Sequence, residues 1–234
     1  MSYLCTYFTK YSTILQQAVI YDMDGIIIDS EPLWRRAMIH GFSEVEVILT
    51  EDDCRITTGM RITEVIKFWH RRTPFNHKTK EELEKLIVAT LCDFIRSEGK
   101  AMTGLNQSLD FFKKNNFKIG LATSSSELLI KTVLEALSIE NEFHHVQSAE
   151  NLHFGKPHPE VYMLCSQHLN IDPKNCIAIE DSVNGIISAK AAGMKVIAVP
   201  EHQLKNDPRF SIADVKLNSL EEIDTFVLNQ LKIF

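Results

Sequence analysis

Positive charge is in deficit: 25 Lys and Arg stand against 31 Asp and Glu, for a formal net charge of -6. The chain thus lacks the basic excess that neutralises nucleic-acid phosphates, and no nucleic-acid partner is expected. Cysteine is sparse and scattered, at Cys5, Cys54, Cys92, Cys165 and Cys176, with no CxxC pair and no His at zinc-finger spacing. That excludes a disulfide framework and a structural zinc site, and it suits a reducing cytoplasm. No apolar stretch approaches the roughly 20 residues that span a bilayer, and Met1 to Gln17 holds no signal-peptide run, so no membrane association is expected. Neither GxGxxG nor GxxxxGK[ST] occurs, which removes dinucleotide and P-loop nucleotide binding. Internal repeats, low-complexity tracts and Gly/Ser linkers are also missing. What is present is 234 residues, 44% hydrophobic and 24% charged, the profile of a folded soluble protein, expected to be monomeric. The length suits one large domain, or one of about 150 residues with a smaller insert.

The hydrophobic pattern divides the chain. Ala18 to Tyr21 (AVIY) is a short apolar run that ends in Asp22-Met23-Asp24-Gly25, the mark of a buried strand delivering carboxylates at its C-terminal end. From Pro32 to about Lys100 no strand pattern stands out, while Trp34 to Phe42, Ile62 to His70 and Lys80 to Ile95 carry apolar residues at helical spacing. After Gly104 strands are expected at Phe117 to Thr123, His145 to Ser148, Cys176 to Glu180, Lys195 to Val199 and Ala213 to Leu217. Helices are expected near Ser126 to Leu137, Pro159 to Leu169, Val183 to Ala192 and Leu220 to Leu231. This alternation predicts an α/β fold: a doubly wound, Rossmann-like parallel sheet with helices on both faces. Residues 1–30 and 101–234 form the expected core and 31–100 a helical cap, inserted after the first strand through hinges at Asp29 to Pro32 and Lys100 to Gly104.

In such a sheet, ligands bind beyond the carboxyl ends of the strands. The polar residues that follow the apolar runs are Asp22 and Asp24, then Thr123-Ser124-Ser125, then Glu180-Asp181, with Lys156 at the entry to a helix. Four carboxylates, hydroxyls and one ammonium at one sheet edge describe a cation site beside an anion site. A hard cation such as Mg²⁺ takes oxygen ligands, which Asp22 and Asp181 can supply, and it would cancel the repulsion between a carboxylate nucleophile and a phosphate. Lys156, the Thr123 hydroxyl and loop N–H groups would hold phosphate oxygens. Asp24 could protonate a leaving oxygen and then take a proton from attacking water.

Asp22-Met23-Asp24-Gly25, Thr123-Ser124, Lys156-Pro157 and Glu180-Asp181-Ser182, in this order along a βα alternation, resemble the four motifs of the haloacid dehalogenase superfamily of phosphatases. An insert directly after the first motif is the pattern of its subgroup with a small helical cap, which includes sugar phosphomutases and many sugar-phosphate phosphatases. Asp22 to Trp34, Gly155 to Tyr162, Glu180 to Gly185 and Asn206 to Leu217 resemble more narrowly the bacterial branch acting on 2-deoxyglucose 6-phosphate and hexitol phosphates. The resemblance implies that Asp22 is the nucleophile, forming an aspartyl-phosphate, and that Asp24 is the general acid and base. It implies Mg²⁺ held by the Asp22 carboxylate, the Asp24 carbonyl and Asp181, with Glu180 direct or through water. Phosphate would lie against Thr123, the Ser124 N–H and Lys156, and the loop Asp22-Met23-Asp24 counts with the substrate-binding residues. The sequence departs from the family pattern at Thr123, where Ser is commoner, and at Gly155, where a small polar residue usually precedes the lysine.

Arg61 follows a Gly-containing turn of the insert (Thr58-Gly59-Met60-Arg61), where capped relatives touch substrate, and it is expected to do so. Trp34, Phe68 and Trp69 are expected in the core, His158 as a packing or capping residue, and the cysteines as buried fillers. A phosphomutase would place a His a few residues after an Asp-Thr pair; Ser30-Glu31-Pro32-Leu33-Trp34 stands there instead, which favours hydrolysis. A dehalogenase would lack Asp24. A phospho-receiver, the signalling alternative, would be much shorter and would have no use for a large helical insert.

Overall fold

The computed structural model describes residues 16–232, so Cys5 and most of Met1 to Gln17 lie outside the described residues. Six strands form one parallel sheet: β1 (Ala18–Tyr21), β2 (Lys118–Thr123), β3 (His145–Ser148), β4 (Cys176–Glu180), β5 (Lys195–Ala198) and β6 (Val215–Lys216), in the order β3-β2-β1-β4-β5-β6. The order reverses at β1, which pairs with β2 on one side and β4 on the other. This is the switch point where crossover connections leave in opposite directions and a crevice opens above the strand ends. Because the register sets Tyr21 against both Leu121 and Ile179, the residues just after them emerge side by side at one edge.

Strand alternation sorts the core into two layers. Val19, Tyr21, Ile177 and Ile179 point into one apolar cluster, and Ala18, Ile20, Cys176 and Ala178 into the other. The central strands β1 and β4 are buried throughout because both faces are covered, while the edge strands β3 and β6 carry polar residues. The first face receives α5 (Leu105–Lys114), α6 (Glu127–Leu137) and α9 (Thr225–Leu231); the second receives α7 (Glu160–His168) and α8 (Val183–Ala191).

Between β1 and β2 lie α1 (Glu31–Ser43), α2 (Glu51–Arg55), α3 (Ile62–Arg72) and α4 (Lys80–Glu98). Two of their starts are capping boxes, Thr50 with Asp53 and Thr79 with Glu82. Leu83, Ile87 and Leu91 of α4 are buried and join the cluster of the first sheet face. The two connections to the sheet run together: Asp29 N–H donates to the Lys100 carbonyl (2.9 Å) and Met102 N–H to the Ile27 carbonyl (3.0 Å).

Two helices go beyond the sequence reading. The five residues of α2 are too few to show a period. The helix α5 precedes the alternation read from Phe117, although buried Leu105, Leu109 and Phe112 do follow a helical stripe. The expected last helix is broken: a 3₁₀ turn at Leu220–Glu222 precedes α9, which starts afresh at Asp224, whose side chain accepts from Val227 N–H. No described helix is long and apolar enough to cross a membrane.

Candidate active site

Asp22 follows the last residue of β1, and its N–H extends the ladder to the Ile179 carbonyl (2.9 Å). The chain then turns tightly, with the Met23 carbonyl accepting from the N–H groups of Ile26, Ile27 and Ile28. Gly25 makes this turn possible at φ 76°, and a Cβ there would lie 2.2 Å from Asp181 Oδ2. The turn therefore closes directly onto the β4–α8 loop.

Asp22, Glu180 and Asp181 are all buried, with carboxylate oxygens within 4.8 Å of one another. The buried ammonium between two of them is Lys156, whose Nζ stands 2.9 Å from Asp22 Oδ1 and 2.6 Å from Glu180 Oε1 and donates to the Ala122 carbonyl (3.1 Å). Burial alone would depress Lys156, but Asp22 and Glu180 outweigh it and hold the ammonium well above its ordinary value. Burial, then Glu180, pushes the Asp22 carboxyl up to about 8 against the pull of Lys156. Asp181 is likewise raised, by burial first and then by Glu31, Glu180 and Asp22. Three buried carboxylates share one ammonium, and Asp22 Oδ1 receives no aligned hydrogen bond. This is an all-oxygen donor set short of positive charge, which fits a hard divalent cation.

Glu180 is more fully engaged than its neighbours. Its Oε1 accepts from Lys156 and from the Tyr162 hydroxyl (2.7 Å), and its Oε2 from the N–H (3.3 Å) and hydroxyl (3.1 Å) of Ser182. It anchors the lysine. Tyr162→Phe would remove one neutral donor while the others remain, so a loss of about 1 kcal/mol is expected, read as a fall of roughly 2–4 °C in a thermal melt.

Asp24 is locked by three donors: Ser30 Oγ (2.6 Å) and Trp34 Nε1 (2.8 Å) on Oδ1, and Ser125 Oγ (2.7 Å) on Oδ2. Trp34 and Phe68 are partly buried against the core, with the Trp34 indole also reaching the site, and Trp69 is buried as expected. Ser30 and Tyr162 are neighbours of the cluster to which the sequence reading gave no role, while Ser125, read among the strand-end polar residues, is found holding Asp24. His158 behaves as a cap, its Nδ1 accepting from Glu160 N–H (3.3 Å) at the start of α7, and the four described cysteines are buried and free.

A cavity opens above this edge. Its floor is Asp22, Asp24, Thr123, Ser124, Ser125 and Asp181, and its roof is Glu31, Trp34 and Met38 of α1 with Cys54, Thr57 to Met60, Ile62 and Val65. Glu31 is the roof's ionisable carboxylate; burial, then Asp24, pushes it up to about 7, with the Arg35 guanidinium 3.7 Å away opposing. The roof is tied to the floor where Ser124 Oγ donates to the Gly59 carbonyl (3.0 Å) and Asn184 Nδ2 to the Thr58 carbonyl (3.2 Å).

The structure therefore brings together Asp22, Asp24, Thr123, Ser124, Lys156, Glu180 and Asp181. Met23 has its side chain fully buried in the core, which leaves only its backbone to the loop. Arg61 is placed apart from these residues. It is not among the cavity's lining residues, and its guanidinium is engaged by Glu64 and by the carbonyls of Ala149 and Leu152.

The family model described as haloacid dehalogenase-like hydrolase matches residues 19–199. The chain is 39% identical over 207 residues to hexitol phosphatase B of Escherichia coli strain K12, covering 88% of this chain and 93% of that one. It is 29% identical over 222 residues to a phosphorylated carbohydrates phosphatase of Thermotoga maritima, covering 88% and 99%. In fold it is similar to the crystal structure of β-phosphoglucomutase from Clostridium difficile, with a TM-score of 0.80 at 23% identity over 93% of this chain and 98% of the other.

Proposed function

The chain belongs to the haloacid dehalogenase-like hydrolases and is a phosphatase, and from that premise we propose that it hydrolyses small sugar and sugar-alcohol phosphates with Mg²⁺ through an aspartyl-phosphate on Asp22. Hexose 6-phosphates, 2-deoxyglucose 6-phosphate and hexitol phosphates are the substrate class, and the enzyme acts as a monomer in the cytoplasm. The observation that carries this reading is the buried Asp22–Lys156–Glu180 cluster facing an Asp24 held by three hydrogen bonds.

Asp22, the Asp24 carbonyl and Asp181 would hold Mg²⁺, with Glu180 direct or through water. The ion supplies charge neutralisation between the Asp22 carboxylate and the phosphoryl group. Lys156, Thr123 and the Ser124 N–H hold phosphoryl oxygens, so the phosphorus is presented to Asp22. Asp22 forms the new P–O bond as the bond to the sugar oxygen breaks, and Asp24 delivers a proton to that oxygen. Asp24 then takes a proton from water, whose oxygen attacks phosphorus and frees Asp22 and inorganic phosphate. Residues 31–100 act as the cap, whose Glu31, Thr57 and Thr58 offer acceptors and donors to a polyol chain.

Trp34 supports hydrolysis over phosphoryl return to sugar. An indole N–H only donates, so it orients Asp24 without relaying a proton as a His in that place could. The test is Asp24→Ala on two substrates. Phosphate release from a hexitol phosphate should fall by about 10²- to 10⁴-fold, and the first step with an aryl phosphate should suffer less because its leaving group needs little protonation. Incubation with β-glucose 1-phosphate and a bisphosphate activator gives the opposite test: glucose 6-phosphate appearing faster than inorganic phosphate would replace this reading with a phosphomutase.

A further inference from the structure

Two features that stand out in the sequence, Arg61 and Gly155, meet in space. The Arg61 Nη1 donates to the carbonyls of Leu152 (2.8 Å) and Ala149 (3.3 Å), while Nε and Nη2 are held by Glu64 one turn along α3. Both carbonyls belong to the loop that runs from β3 to Lys156. The stem of Arg61 lies on Gly155, where a Cβ would stand 2.7 Å from Nε and 3.1 Å from Cγ and Cδ. Gly155 is not among the positive-φ glycines, so its backbone would accept a side chain and Arg61 is what excludes one. The next residue is Lys156, buried between Asp22 and Glu180.

We propose that Arg61 is a positioning residue that acts through Lys156: it clamps loop 149–155 from the roof, with Gly155 as its seat, and thereby fixes the ammonium against Asp22. Charge-assisted bonds from one guanidinium to two carbonyls of the same loop restrain that loop more than a single point charge could. The kinetic part of this inference rests on the phosphatase reading above; the exchange part does not.

The experiment is a double-mutant cycle of Arg61→Ala, Gly155→Ala and the pair, with Arg61→Lys beside it. Kinetics on a hexitol phosphate and on p-nitrophenyl phosphate are combined with amide hydrogen exchange over residues 149–156. Each single variant should lower kcat/KM by about tenfold, by the same factor on both substrates because the phosphoryl centre is common to them. The pair should be no worse than Arg61→Ala, and exchange over 149–156 should quicken in every variant. Arg61→Lys should follow Arg61→Ala, since Lys carries all its donors on one nitrogen, whereas Arg61 reaches Glu64 through Nε and Nη2 and the two carbonyls through Nη1.

A loss confined to the hexitol phosphate would overturn the proposal and return Arg61 to substrate contact. Additive effects in the pair, full activity of Arg61→Lys, or unchanged exchange would overturn it equally. A Gly155→Ala protein that fails to fold while the pair folds supports the seat. If neither folds, exchange in Arg61→Ala and Arg61→Lys decides. A protein that released phosphate from no substrate but showed the exchange coupling would refute the function and leave the clamp standing.

Discussion

Asp22→Asn should leave a folded protein with essentially no turnover. Asn keeps the shape of Asp but offers no anionic oxygen to form the P–O bond, and phosphate-monoester hydrolysis is so slow without catalysis that enhancement can approach ~10²¹. Removing a covalent nucleophile costs on the order of 10⁶ in kcat where it has been dissected, and a loss of at least about 10⁴ is expected for this chain on the same grounds. The fold should survive, because the change removes one of three mutually repelling buried carboxylates along with its attraction to Lys156. Two measurements check this: single-turnover phosphate release and a thermal melt. A purified variant retaining more than about a tenth of the wild-type kcat would rule out Asp22 as the nucleophile.

Stripping the divalent cation should abolish activity, and Mg²⁺ should restore it. Ca²⁺ should bind and suppress turnover, because it accepts about 6 to 8 looser ligands and can engage both oxygens of Asp22, including the one that must attack. The raised carboxyls add a pH dependence whose sign is fixed. With Asp22 pushed up to about 8 and Asp181 also raised, the metal-free cluster holds protons that a cation must displace. Mg²⁺ affinity should therefore weaken as pH falls from 8 to 6, by up to about tenfold per unit for each proton displaced.

The same groups act on stability. A carboxyl raised above its unfolded value stabilises the metal-free fold fully below that value, near 4, and the contribution is lost as pH rises through about 8. Mg²⁺ should consequently raise the melting temperature more at pH 8 than at pH 6. At a hundredfold excess over its Kd the stabilisation is about 2.7 kcal/mol, or roughly 5–10 °C for a chain of this size. Full activity after dialysis against EDTA would remove the cation from the mechanism, and a Mg²⁺ affinity flat between pH 6 and 8 would show that the carboxylates are already ionised there and remove the pH dependence.

Much of this molecule is legible from residue order alone. The runs AVIY and CIAIE are strands over the same residues that the apolar pattern marks, because a strand covered on both faces must be apolar throughout and must end where polar residues begin. The candidate site residues are visible for the same reason: a parallel sheet sends all its strands to one edge, so the first polar residue after each run meets its counterparts without any further information. Asp22, Thr123, Glu180 and Asp181 follow from that rule, while Lys156 becomes a candidate only in conjunction with them, since a lone lysine at a helix entry is ordinarily solvated.

What residue order could not decide is which neighbour each polar group takes, since that depends on distances between segments far apart in the chain. Trp34 reads as a core residue on a helical stripe, yet the packing of α1 against the β1 turn carries its N–H to Asp24. Tyr162 reads as part of a helix, yet α7, packed against β2 and β3, hands its hydroxyl to Glu180 at the end of β4. Arg61 sits in the turn where a substrate contact is expected, but the guanidinium reaches past the cavity to the carbonyls of Ala149 and Leu152. Period and motif determine which face a side chain leaves from. Only the tertiary structure determines how far it must reach, and against what, before its donors are satisfied.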